Sequence, residues 1–225
     1  TKWIMSHKKI ISCHGYNFAM AHNQLRSLPQ GFIPIHHLDI RDKKVLLKLN
    51  FWSLGLLIAT WVGFSRLANL VHPQAQGLIS FSINRIVDAL IFAGVLLGIT
   101  AITLLFHEAL HGLFFRIFTK ESPRYGFKGF YAFAAAPDWY LPKHNYLVTA
   151  LAPFLGISIL AILGLFFTNP AWALVWLWIF VFNASGSVGD LWVVWVIIRS
   201  PADVLICDAG DIVEIFSINP DHVKA

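Results

Sequence analysis

The chain has 225 residues, of which 57% are hydrophobic and only 13% are charged. An average soluble domain carries roughly 25% charged residues and could not bury this much apolar surface, so the composition indicates a membrane protein and excludes a disordered chain, a collagen-like fibre and a disulfide scaffold. We interpret the net charge of +5 as a sign of contact with lipid headgroups, and expect no nucleic-acid partner.

Residues 1–48 form the predicted cytoplasmic N-terminal segment. The first 30 residues contain no continuous apolar run, so no signal peptide is expected. Later in the segment, residues 32–40 partly alternate between apolar and polar side chains, which favours a strand. His36 and His37 lie there, but their spacing matches no metal-binding motif, so we expect them at the surface.

Four apolar segments are each long enough to cross a bilayer as a helix, which takes roughly 20 residues. They cover about 51–71, 86–118, 146–167 and 171–198, and make up a predicted four-helix transmembrane domain at 49–198. Pro153 should kink the third span. Residues 199–225 are the predicted cytoplasmic tail, with an acidic segment that suggests a hairpin around Ala209 and Gly210. The predicted fold class is an all-α polytopic membrane protein with short cytoplasmic strand-like segments.

The basic residues predict how the chain crosses the membrane. Eight Lys or Arg lie in residues 1–48, four in the connection at 119–145 and two in the tail. The two opposite loops contain none, although Arg66 and Arg85 lie at the ends of spans. Because Lys and Arg concentrate in cytoplasmic loops, we expect both termini and the 119–145 connection to be cytoplasmic. Within that connection, residues 127–136 (FKGFYAFAAA) are either a strand or re-entrant segment that binds an extended peptide, or an interfacial loop.

The second span contains His107-Glu108-Ala109-Leu110-His111, an HExxH pattern. Residues i and i+4 share one face of a helix, so both imidazoles can bind one Zn²⁺. Glu108 then lies beside the metal, where it can accept a proton from water. Ionisable side chains inside an apolar span are costly and indicate function, although a polar cluster at the membrane interface is an alternative.

A catalytic zinc site usually has a third protein ligand, and Asp190 in the fourth span is the leading candidate. Asp190 lies nine residues before the basic end of its span, and His111 lies nine residues before the basic end of its own. Both spans should run toward the cytoplasm, so the two side chains fall at similar depth. Asp138 and His144 in the connection are alternative third ligands. Asp190 could also be a buried hydrogen-bonding carboxylate without a metal.

The arrangement of HExxH in one apolar helix and an Asp that follows an Asn in a later helix resembles the site-2 protease class of intramembrane zinc metalloproteases. That class usually has an NPDG-like later motif, whereas this chain reads NASGSVGDL at 183–191. This form is more similar to the putative zincin peptidase family of small bacterial membrane proteins, over about residues 28–216, which include LPQGF at 28–32 and ALAPF at 150–154. The resemblance implies zinc ligands at His107, His111 and Asp190, a catalytic acid/base at Glu108, and a multi-pass protein of the bacterial plasma membrane.

The leading functional hypothesis is a zinc-dependent metalloendopeptidase that hydrolyses peptide bonds of membrane or membrane-proximal proteins. Its expected partners are the lipid bilayer and a membrane protein or peptide substrate. Asn183, on the same helical face as Asp190, is a candidate to steady the substrate backbone or the oxyanion. The alternative is a non-enzymatic metal-binding membrane adaptor or regulator. A metal-ion transporter ranks lower, because it would need ionisable residues at several depths. The sequence does not predict an oligomeric state.

Overall fold

A computed structural model describes residues 25–73, 85–128 and 132–218 of the chain. The first half of the predicted N-terminal segment, and the end of the tail, lie outside the described residues. The described residues form β1 (Ile33–Asp39), α1 (Lys43–Val71), α2 (Ile86–Thr119), β2 (Arg124–Phe127), β3 (Ala132–Pro142), α3 (Lys143–Phe167), α4 (Ala173–Gly186), α5 (Val188–Arg199), β4 (Leu205–Asp208) and β5 (Ile212–Ser217). A short 3₁₀ helix, Pro170–Trp172, precedes α4.

The long helices have the length and the surface of membrane spans. α1, α2 and α3 are each long and apolar enough to cross a bilayer, and α4 and α5 qualify together as a fourth, broken span. Their outward faces carry many exposed large apolar side chains, among them Leu97, Leu105 and Phe106 of α2. Exposed apolar surface of this extent is typical of a protein that contacts lipid. The helices are therefore compatible with a multi-pass membrane protein.

The fourth predicted span is broken rather than one continuous helix over 171–198. Its two halves meet at an angle of 48°. The Ser187 hydroxyl at the break donates to the carbonyl oxygen of Asn183 at 2.7 Å. The adjacent Gly186 and Gly189 have low helix propensity, and serine that bonds back to the helix backbone often bends it. The break has a functional consequence, because it places Asp190 in the first turn of α5.

The strand-like segments pair in one antiparallel sheet of five strands, in the order β1-β5-β4-β3-β2. The described chain is therefore mostly helical with a small sheet, and the predicted all-α class is too narrow. The strand predicted at 32–40 is β1, and the hairpin predicted in the tail is β4–β5. Gly210 supplies the turn with a φ of +87°, a backbone conformation that glycine adopts without strain. The segment 127–136 contributes to β2 and β3.

The sheet packs against one end of the helices and closes over the HExxH turn. A buried apolar cluster joins the sheet to α2, α3 and α5, with Phe115, Leu141, Ile197, Ile206 and Ile215 among its members. A second cluster joins α1, α3 and α4 farther along the helices. β3 packs directly on α2. This packing puts one strand of the sheet beside the two histidines.

Candidate metal centre

The structure brings His107, His111 and Asp190 together. One ligand atom from each lies within 4.8 Å of those of the other two. His107 Nε2 lies 3.1 Å from Asp190 Oδ2, and His111 Nε2 lies 3.4 Å from Asp190 Oδ1. α2 presents both imidazoles on one face, and α5 brings the carboxylate from its first turn. The N-terminus of a helix favours a negative side chain, which suits an ionised Asp190.

The hydrogen bonds of the two imidazoles suit a metal site. His111 Nδ1 donates to the carbonyl oxygen of Thr149 at 3.0 Å, and His107 Nδ1 lies 3.2 Å from Asn183 Oδ1. Because both partners accept through oxygen, each Nδ1 carries the hydrogen. In the neutral form of each imidazole, Nε2 then has a lone pair available to a metal ion on the side of Asp190. Ring nitrogens fixed in this way are typical of metal-binding histidines. Two imidazoles and a carboxylate are also a common donor set for zinc, so the residues fit the ion.

Pro153 explains why the Thr149 carbonyl is free to bind His111. In an α-helix the carbonyl of residue 149 would accept a hydrogen bond from the backbone N–H of residue 153. Proline has no N–H, so this carbonyl has no partner of that kind within α3. His111 of the neighbouring helix takes that place. The proline that was predicted to kink the span therefore leaves a carbonyl oxygen that accepts a hydrogen bond from His111.

Asn183 lies behind His107. Its side chain is buried, with a residue exposure of 2%. Its amide Nδ2 donates to the carbonyl oxygens of Pro153 and Phe154 at 3.3 and 3.2 Å. These bonds fix the amide with Oδ1 toward His107, and they leave Asn183 outside the lining of the cavity. The structure thus places it where it orients a histidine, whereas the sequence suggested a group in contact with substrate.

A cavity of about 510 Å³ adjoins the three side chains. Glu108 lines it beside both histidines, as does the stretch of β3 from Ala132 to Ala134. Glu108 therefore lies next to the metal-ligand group without being part of it, and has access to whatever occupies the cavity.

The rival third ligands lie elsewhere. Asp138 is exposed and forms an ion pair with Arg124 at the surface. His144 is exposed at the start of α3, and neither residue belongs to the metal-ligand group. His37, which was expected at the surface, pairs there with Glu214 at 3.4 Å.

Two residues of the cavity wall were not singled out in the sequence. Asp208 ends β4, and its Oδ2 accepts a hydrogen bond from the Tyr146 hydroxyl at 2.6 Å. Its Oδ1 accepts a hydrogen bond from the backbone N–H of Gly210 at 2.7 Å. Burial raises the pKa of the Asp208 carboxyl to about 6. In the sequence, Asp208 is one of three acidic residues in the segment 204–216, and nothing in their spacing shows which of them lines the cavity.

The comparison with known families agrees with this geometry. The model of the putative zincin peptidase family matches residues 100–205, a range that contains both histidines, Glu108 and Asp190. No curated protein and no solved structure matches the chain at a significant level. The family points to a zinc metallopeptidase. The chain is thus similar to the putative zincin peptidase family over residues 100–205, which hold the whole metal-ligand group.

Proposed function

We propose that the protein is a zinc-dependent metalloendopeptidase that acts within or next to the membrane. The observation that carries the proposal is the convergence of His107, His111 and Asp190 beside a cavity that Glu108 also lines. A structural zinc site is closed by four protein ligands and has no use for an adjacent free carboxylate. Three ligands and a neighbouring Glu match the composition of a catalytic site instead.

The residues of the site have distinct chemical tasks. His107, His111 and Asp190 would hold zinc, while Asn183 and Thr149 keep the two imidazoles oriented. Zinc bound there supplies a Lewis acid that polarises a peptide carbonyl and lowers the pKa of water. Glu108 accepts the proton of the attacking water and then delivers it to the amine that leaves. The described residues therefore account for ligand positioning and for both proton transfers.

The route into the cavity favours a membrane or membrane-proximal substrate. Among the described residues, α1 packs mainly on α4 and α2 packs on α3 and α4, while α1 and α2 have at most marginal direct contact. Side chains of both helices line the cavity, including Ser53 and Leu57 of α1 and Thr100 and Leu104 of α2. The gap between two apolar helices would face lipid. A substrate segment could therefore approach the metal centre sideways, from the bilayer.

The sheet offers a way to bind the substrate backbone. β2 is an edge strand of the sheet, and its partner β3 lines the cavity. Peptidases bind their substrates extended, and a strand edge supplies backbone hydrogen bonds for an extended chain. We propose that the peptide lies along this part of the sheet, so that its scissile bond faces Glu108.

We further propose that the sheet side of the protein faces the cytoplasm, in a bacterial plasma membrane. Four basic residues lie in the connection at 119–145 and none lies between α3 and α4. In intact cells, Ser122→Cys should resist a membrane-impermeant thiol reagent, whereas Ala171→Cys, in the opposite turn, should react. Both positions are exposed, so burial does not account for a difference. The unsubstituted protein reports the background labelling. The reverse pattern would invert the orientation.

Proteolysis is tested directly with purified full-length protein in lipid vesicles. The substrate is a library of membrane-spanning and juxtamembrane peptides, and mass spectrometry detects new termini. We expect cleavage that stops when a chelator removes the metal and returns when zinc is added back. A parallel preparation of Glu108→Gln excludes a contaminating protease. Zinc-loaded protein that cleaves nothing in the library would favour the adaptor or regulator instead.

A further inference from the structure

The charges on the cavity wall are unbalanced. The acidic side chains that line it are Glu108, Asp190 and Asp208, and its described lining contains no Lys or Arg. Asp190 contacts both histidines and belongs to the metal-ligand group. Glu108 has the proton-transfer role proposed above. Asp208 belongs neither to the metal-ligand group nor to the proposed proton transfer, so its carboxylate has no role in the proposed reaction.

Among the residues that the structure describes, the Asp208 carboxylate is held by hydrogen bonds and not by an ion pair with Lys or Arg. Both of these donors, the Tyr146 hydroxyl and the Gly210 backbone N–H, are uncharged. Lys128 forms an ion pair with Asp211 of the same hairpin. An ionised carboxylate has about four lone-pair sites, so Asp208 has capacity for further donors. Because its pKa is raised only to about 6, it is mostly ionised at neutral pH.

The neighbours of Asp208 hold it in a fixed position relative to the metal-ligand group. Tyr146 lies one helical turn before Thr149, which binds His111. The Tyr146 ring packs against Phe115, one turn after His111 on α2, with ring centroids 6.4 Å apart. Gly210 fixes the other carboxylate oxygen from the hairpin turn. A carboxylate that is fixed from two sides and borders the cavity is suited to recognise a ligand group with directional hydrogen bonds.

We propose that Asp208 determines substrate specificity by binding a cationic nitrogen group of the peptide. The inference rests on the proposed function, since it assigns a substrate class to the same cavity. A buried carboxylate without a cationic partner is stabilised when a ligand brings one. The cation can come from a Lys or Arg side chain near the scissile bond, or from the α-ammonium group at the N-terminus of the peptide. Both present N–H donors to the same carboxylate.

The test measures binding separately from cleavage. Full-length Glu108→Gln protein in detergent is titrated with fluorescent peptides in matched pairs that differ only by Lys against norleucine, which has a similar length without the charge. Each pair is made with a free and with an acetylated N-terminus. A hydrogen bond to a charged group corresponds to a preference of roughly tenfold or more for the cationic peptide. If Lys supplies the cation, the preference survives acetylation. If the α-ammonium supplies it, acetylation weakens binding by a similar factor.

Variants in the same background assign the preference to Asp208. Asp208→Asn should bring the affinity ratio of the cationic and neutral peptides to about one. Tyr146→Phe keeps the ring but removes the hydroxyl that holds Asp208, so it should lower the ratio partly. Glu214→Gln on β5 is the matched control, because Glu214 lies outside the cavity lining and should leave the ratio as it is. Zinc content and a melting curve show whether each variant folds. If Asp208→Asn does not fold, the affinity ratio of Tyr146→Phe decides the test.

Three results distinguish failure of the proposed role of Asp208 from failure of the proposed peptidase function. Equal binding of every cationic and neutral pair by protein with Asp208 intact would overturn the proposal. A preference that persists unchanged in folded Asp208→Asn and in Tyr146→Phe would also overturn it. A preference that depends on Asp208, in a protein whose wild-type form cleaves no peptide, would support the binding role and reject the peptidase function.

Discussion

Replacing Glu108 with Gln should lower the rate of peptide cleavage by about 10²- to 10⁴-fold, the range in which a general acid/base contributes. The amide has nearly the shape of the carboxylate, but it cannot accept a proton from water or return it to the leaving amine. Because Glu108 lies beside the metal-ligand group and not within it, the variant should keep its zinc. Values of kcat/KM for one cleaved peptide measure the loss of activity, and the zinc content of the same samples shows whether the metal is retained.

Glu121→Gln is the matched control for this loss. Glu121 is exposed and interacts with Arg26 and Trp139 at the surface, outside the cavity lining. Its replacement removes one carboxylate without touching the site, so cleavage should continue at a rate close to that of the wild type. Unchanged cleavage by Glu108→Gln would contradict the assignment of the proton-transfer role.

Replacing Asp190 with Asn should abolish cleavage and strongly reduce bound zinc. The substitution preserves size and most hydrogen bonding, but a neutral amide oxygen is a poorer ligand than a carboxylate, and it removes the negative charge that offsets the metal. The change should have little effect on membrane insertion, since it makes the span less polar. Zinc content and zinc affinity, measured by competition with a chelating dye, report the loss.

Asn183→Ala distinguishes a ligand from the residue that orients one. Without the amide, the Nδ1–H of His107 loses its buried acceptor, but all three ligands remain. Loss of such a partner typically weakens metal binding 10- to 100-fold. The variant should therefore lose zinc at low zinc concentration and recover it when zinc is raised, whereas Asp190→Asn should recover poorly. If Asp190→Asn kept normal zinc while Asn183→Ala could not be reloaded, the third ligand would be misassigned.

The parts of the site that depend on local spacing can be predicted from the sequence. Two histidines four residues apart share a helix face in any α-helix, and the basic residue at the end of each span indicates the depth of His111 and Asp190. The strand at 32–40 and the hairpin around Gly210 also follow from local alternation and turn residues. These predictions need no knowledge of how the helices pack.

The remaining features depend on contacts between distant parts of the chain. β1 pairs with β5, which lies at the other end of the described chain, so local patterns do not reveal the sheet. Asn183 faces His107 only because α4 packs against both α2 and α3. The Thr149 carbonyl could have been found, since Pro153 four residues later marks a carbonyl that lacks its usual helical partner. Nothing local distinguishes Asp208 from Asp211 and Glu214, because their orientation is set by the sheet and by Tyr146.

Zinc content of the purified protein, wild type beside His111→Ala, tests the central claim most directly. His111 is buried, contributes one ligand atom, and holds its other nitrogen on Thr149, so the alanine variant removes a ligand and leaves the rest of the site. Elemental analysis should find about one zinc per wild-type chain and almost none in the variant. A wild-type protein that takes up no zinc, or a His111→Ala variant that keeps its full complement, would contradict the account.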